Sequence, residues 1–402
     1  MHRLLAVPQE QTKDGMTGPL RVAAGRLDSV DQLRGLVIVL MTLDHVRDFF
    51  SDIPYDPLDL SKTSLALFLT RWITHFCAPT FIFLAGMGAY LSFLRGKAKR
   101  QVAWFLFSRG LWIVVLEVTI VRCLGWVWDF DLHDVMGSVL WAIGWSMVAL
   151  APLIFLPTSL VAAIGLTLIA YHNCFDGFAA DDFGRWGGLW SVLHAGGSVE
   201  WMPGYRLVAA YPLLPWIGVM ATGYAMGAVY QLEPARRRAA LLCLGLALSL
   251  AFVALRYLNV YGDPDRWSYQ QERWLTICSF SNCHKYPPSL LYVLMTLGPA
   301  VTALGLFQRP PGFLGRRLVT FGRVPMFFYL LHVPLIHSLA FALAVVRYGP
   351  EVLNKPFFPS DYGYNLPMVY ALWLVVLLML YPLCAWYGGV KRRRQYAWLS
   401  YL

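Results

Sequence analysis

Ten runs of about 20 largely apolar residues divide this chain, and each approaches the length of a membrane helix. They lie at about 30–50, 65–94, 104–127, 136–156, 159–172, 206–230, 240–260, 288–308, 319–345 and 367–388. Runs of this length leave little room for any other architecture, because lipid-facing backbone must satisfy its own hydrogen bonds. The composition agrees. Hydrophobic residues make up 58% of the 402 and charged residues only 14%, against about 25% charged in an average soluble domain. A soluble globule and a disordered chain are both excluded. Seven cysteines are too few for a disulfide framework.

The formal net charge is +10, from 33 Lys and Arg against 23 Asp and Glu. In a membrane protein this excess is sorted across the bilayer and is no sign of nucleic-acid binding. With the N-terminus inside, one side receives Arg95, Lys97, Lys99, Arg100, Arg236–Arg238, Arg309, Arg316, Arg317 and Lys391–Arg394. The longer loops, 51–64, 173–205, 261–287 and 346–366, fall on the other side. They carry only Lys62, Arg185, Arg266, Arg273, Lys285, Arg347 and Lys355. The expected fold class is therefore all-α, a polytopic membrane protein of about ten transmembrane helices with both termini cytoplasmic. Residues 1–27 read as a cytoplasmic tail without an apolar signal region, 28–390 as a single membrane domain and 391–402 as a basic cytoplasmic tail. No internal repeat is visible. Cys278 and Cys283 share one outer loop and are candidates for pairing on an oxidising face.

Ionisable residues at membrane depth are costly and usually face a functional cavity. Arg34 and His45 in the first run are eleven residues apart, within about 20° of three full turns and about 16 Å along the axis. A cation near the inner surface and an imidazole towards the outer one thus share a single helix face. The remaining runs repeat the two layers. Arg34, Arg109 and Arg323 form an inner layer, about 6–8 Å inside the boundary. His45, Glu117, Arg122, His332 and His75 form an outer one, with His172 and His337 slightly nearer the surface. Blander roles stand beside these. Arg109 and Arg323 can snorkel to the interface, Asp31 can pair with Arg34 at i−3, Glu117 and Arg122 can pair across helices, and His172 and His337 can be hydrogen-bonded at helix ends. No HxxxH or HExxH spacing occurs in the runs, so no metal is expected.

The Arg34-x10-His45 spacing, preceded by Ser29-Val30-Asp31-Gln32-Leu33, resembles the signature of the transmembrane acyltransferase superfamily. More closely, the chain resembles bacterial members of the heparan-alpha-glucosaminide N-acetyltransferase catalytic-domain family. The stretches that carry this are Arg71–Pro79, Tyr211–Gly218, Lys285–Ser289 and Phe321 through His332. The resemblance implies an enzyme of a bacterial plasma membrane that takes an acetyl group from cytoplasmic acetyl-CoA. The acceptor it implies is an amino sugar or glycan hydroxyl on the far side. Arg34, Arg109 and Arg323 would then meet the CoA phosphates. His45 would act as general base, with Asp44 or Asp48 orienting it, His75 and His332 in reserve, and Asp31, Glu117 and Arg122 in support. The sequence departs from the lysosomal family member in one respect. Asp44 stands where that protein has an Asn, and loop 51–64 holds no His, which favours direct transfer over an acetyl-histidine. The expected partners are acetyl-CoA, the sugar acceptor and the bilayer, with no nucleic acid and with a homo-oligomer left open. A proton-coupled transporter of a small molecule or glycan precursor is the competing class, since buried His, Glu and Arg also build proton relays.

Overall fold

The computed structural model describes residues 27–126, 128–354, 358–394, 396, 399 and 401. The tail 1–26 and Lys355 lie outside them. The chain is an all-α polytopic membrane protein with a small sheet, and each of the ten apolar runs contains a helix. Among the described residues, seven helices are long and apolar enough to cross a membrane.

Helix α1 (Asp28–Phe50) comes first. It is followed by α2 (Leu65–Trp72), a 3₁₀ turn (Ile73–Phe76) and α3 (Cys77–Leu94), which together form one rod. Ser64 starts this rod, its hydroxyl accepting from Leu67 N–H at 3.3 Å. Helix α4 (Lys99–Leu116) continues as a π-helix over Glu117–Trp126. Strand β1 (Asp134–Gly137), α5 (Val139–Leu153), α6 (Thr158–Tyr171) and the single turn α7 (Gly187–Trp190) follow. Strands β2 (Gly197–Met202) and β3 (Tyr205–Ala209) lead into α8 (Leu213–Met226). The sheet order is β1-β3-β2, with β1 parallel and β2 antiparallel to β3. Helices α9 (Pro234–Leu258), α10 (Arg273–Ser281), α11 (Leu290–Leu306), α12 (Phe313–Gly322), α13 (Pro325–Tyr348) and α14 (Leu366–Arg393) complete the chain.

Three boundaries differ from the sequence expectation. The run at 206–230 begins as strand β3, and helix starts only after Pro212, because the apolar residues of 206–209 pair with β1 and β2. The run at 319–345 is broken at Arg323 and Val324, where Pro325 opens a new helix. The last helix extends through Arg393, past the end of the apolar run at 367–388.

One buried apolar cluster runs from Val30 to Tyr387 and beyond. Its centre is the α2–α3 rod, with 67% of its apolar window buried, whereas the window of α9 is only 11% buried and lies on the outside of the bundle. Glycine sets the closest approach. A Cβ on Gly35 of α1 would lie 1.9 Å from Leu318 O of α12, and one on Gly322 would lie 1.8 Å from Asp31 O. The two backbones touch there, as small residues permit in membrane helix packing. Short links and longer connections alternate along the chain, and the sheet strands lie in the longer ones.

Candidate active site

Helix α1 brings Arg34 and His45 to one cavity of about 410 Å³ that runs along the bundle. At one end it is lined by Arg34, Lys97, Arg109, Arg323 and Lys391. At the other it is lined by Asp44, His45, Thr74, Tyr211 and Lys285. Apolar side chains such as Leu84, Ile113, Met147 and Met326 form the wall between. A basic mouth, an apolar barrel and a polar far end therefore follow one another along the axis.

The cations at the mouth are held in place. Arg34 Nη1 donates to Asp31 Oδ1 at 3.0 Å and to Gly322 O at 3.2 Å, which ties α1 to α12. Arg323 Nη2 donates to Asp28 Oδ1 at 3.1 Å, and its Nε lies 3.8 Å from Asp31 Oδ2. The Arg109 guanidinium and the Lys97 ammonium lie 5.4 and 5.5 Å from the ring of Phe105.

At the far end the protons can be placed by elimination. His332 Nδ1 faces two carbonyl oxygens, Tyr329 O at 2.7 Å and Phe328 O at 3.2 Å. Carbonyls only accept, so Nδ1 carries the proton and Nε2 of the neutral ring is bare. His45 Nδ1 lies 2.8 Å from that Nε2 and must donate to it. The proton of neutral His45 is then committed to Nδ1, and its Nε2 is bare. The two rings stack at 4.9 Å, and Trp126 meets His45 edge-on at 5.0 Å. The result is an imidazole whose tautomer is fixed by a second histidine, which is itself fixed by backbone.

The two carboxylates beside His45 are engaged elsewhere. Among the described residues neither carboxylate is hydrogen-bonded to His45. Asp44 accepts from Arg71 Nη1 at 3.1 Å and pairs with Arg47 Nη2 at 3.0 Å, and Asp48 takes the same Arg47 at 2.5 Å. The hydrogen-bond partner of the His45 ring is His332 instead. His75 is fully buried behind the cavity wall, 5.4 Å from the Tyr292 ring, and neither ring nitrogen has a hydrogen-bond partner among the described residues. Glu117 and Arg122 do not pair. Glu117 accepts from the Ser138 hydroxyl, whereas Arg122 donates to Asp134 O at 2.9 Å and Asp129 O at 3.2 Å, fastening the end of the π-helix. His337 Nδ1 meets Gly125 O at 2.8 Å, and His172 Nε2 meets Pro288 O at 2.9 Å, so both serve helix ends. Cys278 and Cys283 are free thiols. Among the described residues no group of three His, Cys, Asp or Glu side chains is arranged to hold a metal ion.

Lys97, Lys391, Tyr211 and Lys285 line the cavity without being candidate site residues in the sequence: the first two stand in basic clusters at run ends, Lys285 stands among the outer-loop cations, and Tyr211 lies in a stretch that carries the family resemblance.

The profile of the family described as heparan-alpha-glucosaminide N-acetyltransferase, catalytic, matches residues 26–261, more than half of the chain. The chain belongs to this family. No curated protein matches it. For the heparan-alpha-glucosaminide N-acetyltransferase family the matched region includes α1 with Arg34 and His45, the α2–α3 rod with Arg71 and Thr74, and α4 with Arg109. It ends before the loop that presents Lys285 and before α13 with His332. As a family member the protein is a membrane N-acetyltransferase in the broad sense.

Proposed function

We propose that the protein moves an acetyl group from cytoplasmic acetyl-CoA to an amino sugar or glycan hydroxyl on the opposite side of a bacterial plasma membrane. The observation that carries this reading is the single cavity with five cations at one end and the bare Nε2 of His45 at the other. Guanidinium and ammonium groups suit the phosphates of CoA. The rise of about 16 Å from Arg34 to His45 suits an extended pantetheine arm lying along the apolar wall. The thioester then reaches the imidazole.

The acceptor nitrogen or oxygen attacks the thioester carbonyl carbon as His45 Nε2 takes its proton. The new C–N or C–O bond forms, the C–S bond breaks, and the thiolate of CoA leaves and takes the proton from His45 Nε2. The imidazolium keeps donating through Nδ1 to His332 Nε2, so the transient charge is shared without any rearrangement. Direct transfer needs no acetyl-enzyme. The basic mouth faces the cytoplasm in this scheme, in keeping with the clusters that surround it.

The test is ligand binding and CoA release by purified protein. Acetyl-CoA should raise the melting temperature, because a ligand that binds only the folded state must stabilise it. Free thiol should then appear when an amino sugar is added. A melting temperature unmoved by millimolar acetyl-CoA would refute the reading.

A further inference from the structure

The far end of the cavity holds one charge that the scheme above does not use. Asp44 is neutralised by Arg71 and Arg47. Lys285 lines the same end and takes part in none of the ion pairs found among the described residues there. Its ammonium lies 5.0 Å from the ring of Tyr286. Burial pushes the Tyr286 phenol up, but the positive charges of Lys285 and Arg71 outweigh it and hold that phenol below its ordinary range.

The loop that presents Lys285 is built rigidly. Arg256 of α9 is buried and gives its guanidinium to four carbonyls, Phe280 O, Asp265 O, Ser279 O and Asn282 O, at 2.7–3.2 Å. Beside it, Asp263 Oδ2 accepts from Ser289 Oγ at 2.6 Å and from His284 N–H at 3.0 Å. The segment on either side of Lys285 is therefore clamped without help from the Lys285 side chain.

Attack on a thioester puts a full negative charge on the carbonyl oxygen, and something must meet it. Backbone N–H groups within the surrounding helices are committed to their own carbonyls. Thr74 Oγ donates to Arg71 O at 2.7 Å, and Arg71 is engaged by Asp44. We propose that Lys285 is a catalytic residue whose ammonium stabilises the tetrahedral oxyanion formed opposite His45. This rests on the acetyl-transfer reading and adds the electrophilic half of the site. During the step Lys285 keeps its protons. The oxyanion forms against it and collapses as the C–S bond breaks.

The experiment compares wild type, Lys285→Met and Lys285→Arg for acetyl-CoA affinity by thermal shift and for kcat and KM by CoA release with an amino-sugar acceptor. Lys285→Met should lower kcat by about 10²–10³-fold, the loss seen when an oxyanion donor is removed. Its acetyl-CoA affinity should stay within about threefold, and Lys285→Arg should recover at least about tenfold of the lost rate. An unchanged melting temperature shows that the variants fold. Turnover by Lys285→Met within about threefold of wild type would overturn the assignment. So would a raised acceptor KM at unchanged kcat, which would make Lys285 an acceptor anchor. Failure of wild type to bind acetyl-CoA would instead overturn the underlying reading, and the proposal with it.

Discussion

At the scale of single residues the chain of contacts from backbone to His332 to His45 decides which nitrogen can act. Removing His332 leaves His45 Nδ1 without its acceptor and frees the ring to adopt the other tautomer. His332→Ala should therefore lower kcat, by up to about 10⁴-fold as in other wrong-tautomer defects, with acetyl-CoA affinity unchanged. CoA release and thermal shift on one preparation separate the two effects. Lys285 can be checked without any turnover. Because the Tyr286 phenol is held below its ordinary range, its ionised form is favoured by the fold. That stabilisation is present above the phenol's ordinary value and is lost as pH falls through the lowered one. Ultraviolet difference titration of wild type against Tyr286→Phe should reveal one phenolate forming early. In Lys285→Met that transition should move to higher pH; an unmoved transition would separate Lys285 from Tyr286. The sequence made Arg34 and His45 legible because helical periodicity places them on one face. It could not make the His45–His332 bond legible, because those residues are 287 positions apart and no period connects them. The carboxylates beside His45 were attractive partners on sequence distance alone, but Arg71, brought in by the α2–α3 rod, claims Asp44.

At the scale of elements, α1 and α12 form the floor on which the basic mouth is built. Arg34 reaches Gly322 O only because Gly35 and Gly322 let the two backbones touch. Gly322→Ala would put a methyl group 1.8 Å from Asp31 O, so the helices must part. A cost of about 1–3 kcal/mol is expected from such overpacking, read as a lowered melting temperature together with weaker acetyl-CoA binding. A melting temperature equal to wild type would show that the contact is not maintained. The apolar runs were legible as helices because a long run without charges has few other solutions in lipid. Their ends were less so. Leu207, Val208 and Ala209 are as apolar as a helix start, and only pairing with β1 and β2 reveals them as strand. Likewise α12 and α13 read as one run until Pro325 divides them.

At the scale of the whole molecule the account needs the basic mouth and the Lys285 loop on opposite faces of the membrane. Arg236→Cys and Tyr269→Cys, in a background lacking the exposed thiols Cys174 and Cys243, provide reporters at the two ends. A membrane-impermeant maleimide on intact cells should label position 269 and spare 236. Labelling of both, or of 236 alone, would contradict the orientation. The two-layer pattern of cations and histidines was legible in the chain because charges at membrane depth are rare. Lys97 and Lys391 escaped notice because clusters at helix ends are also what membrane insertion alone requires.

In the proposed reaction one cavity binds acetyl-CoA at its basic end and transfer occurs at His45. Acetyl-CoA affinity and transfer rate, measured side by side for the double variant Lys97→Ala/Arg109→Ala and for His45→Ala, test it most directly. The double variant should lose affinity by at least about tenfold, since each charge-assisted contact contributes about 1.5–3 kcal/mol. His45→Ala should bind as wild type does while transfer falls by about 10²–10⁴-fold, the typical loss for a general base. Wild-type affinity in the double variant, or near-wild-type transfer by His45→Ala, would contradict it.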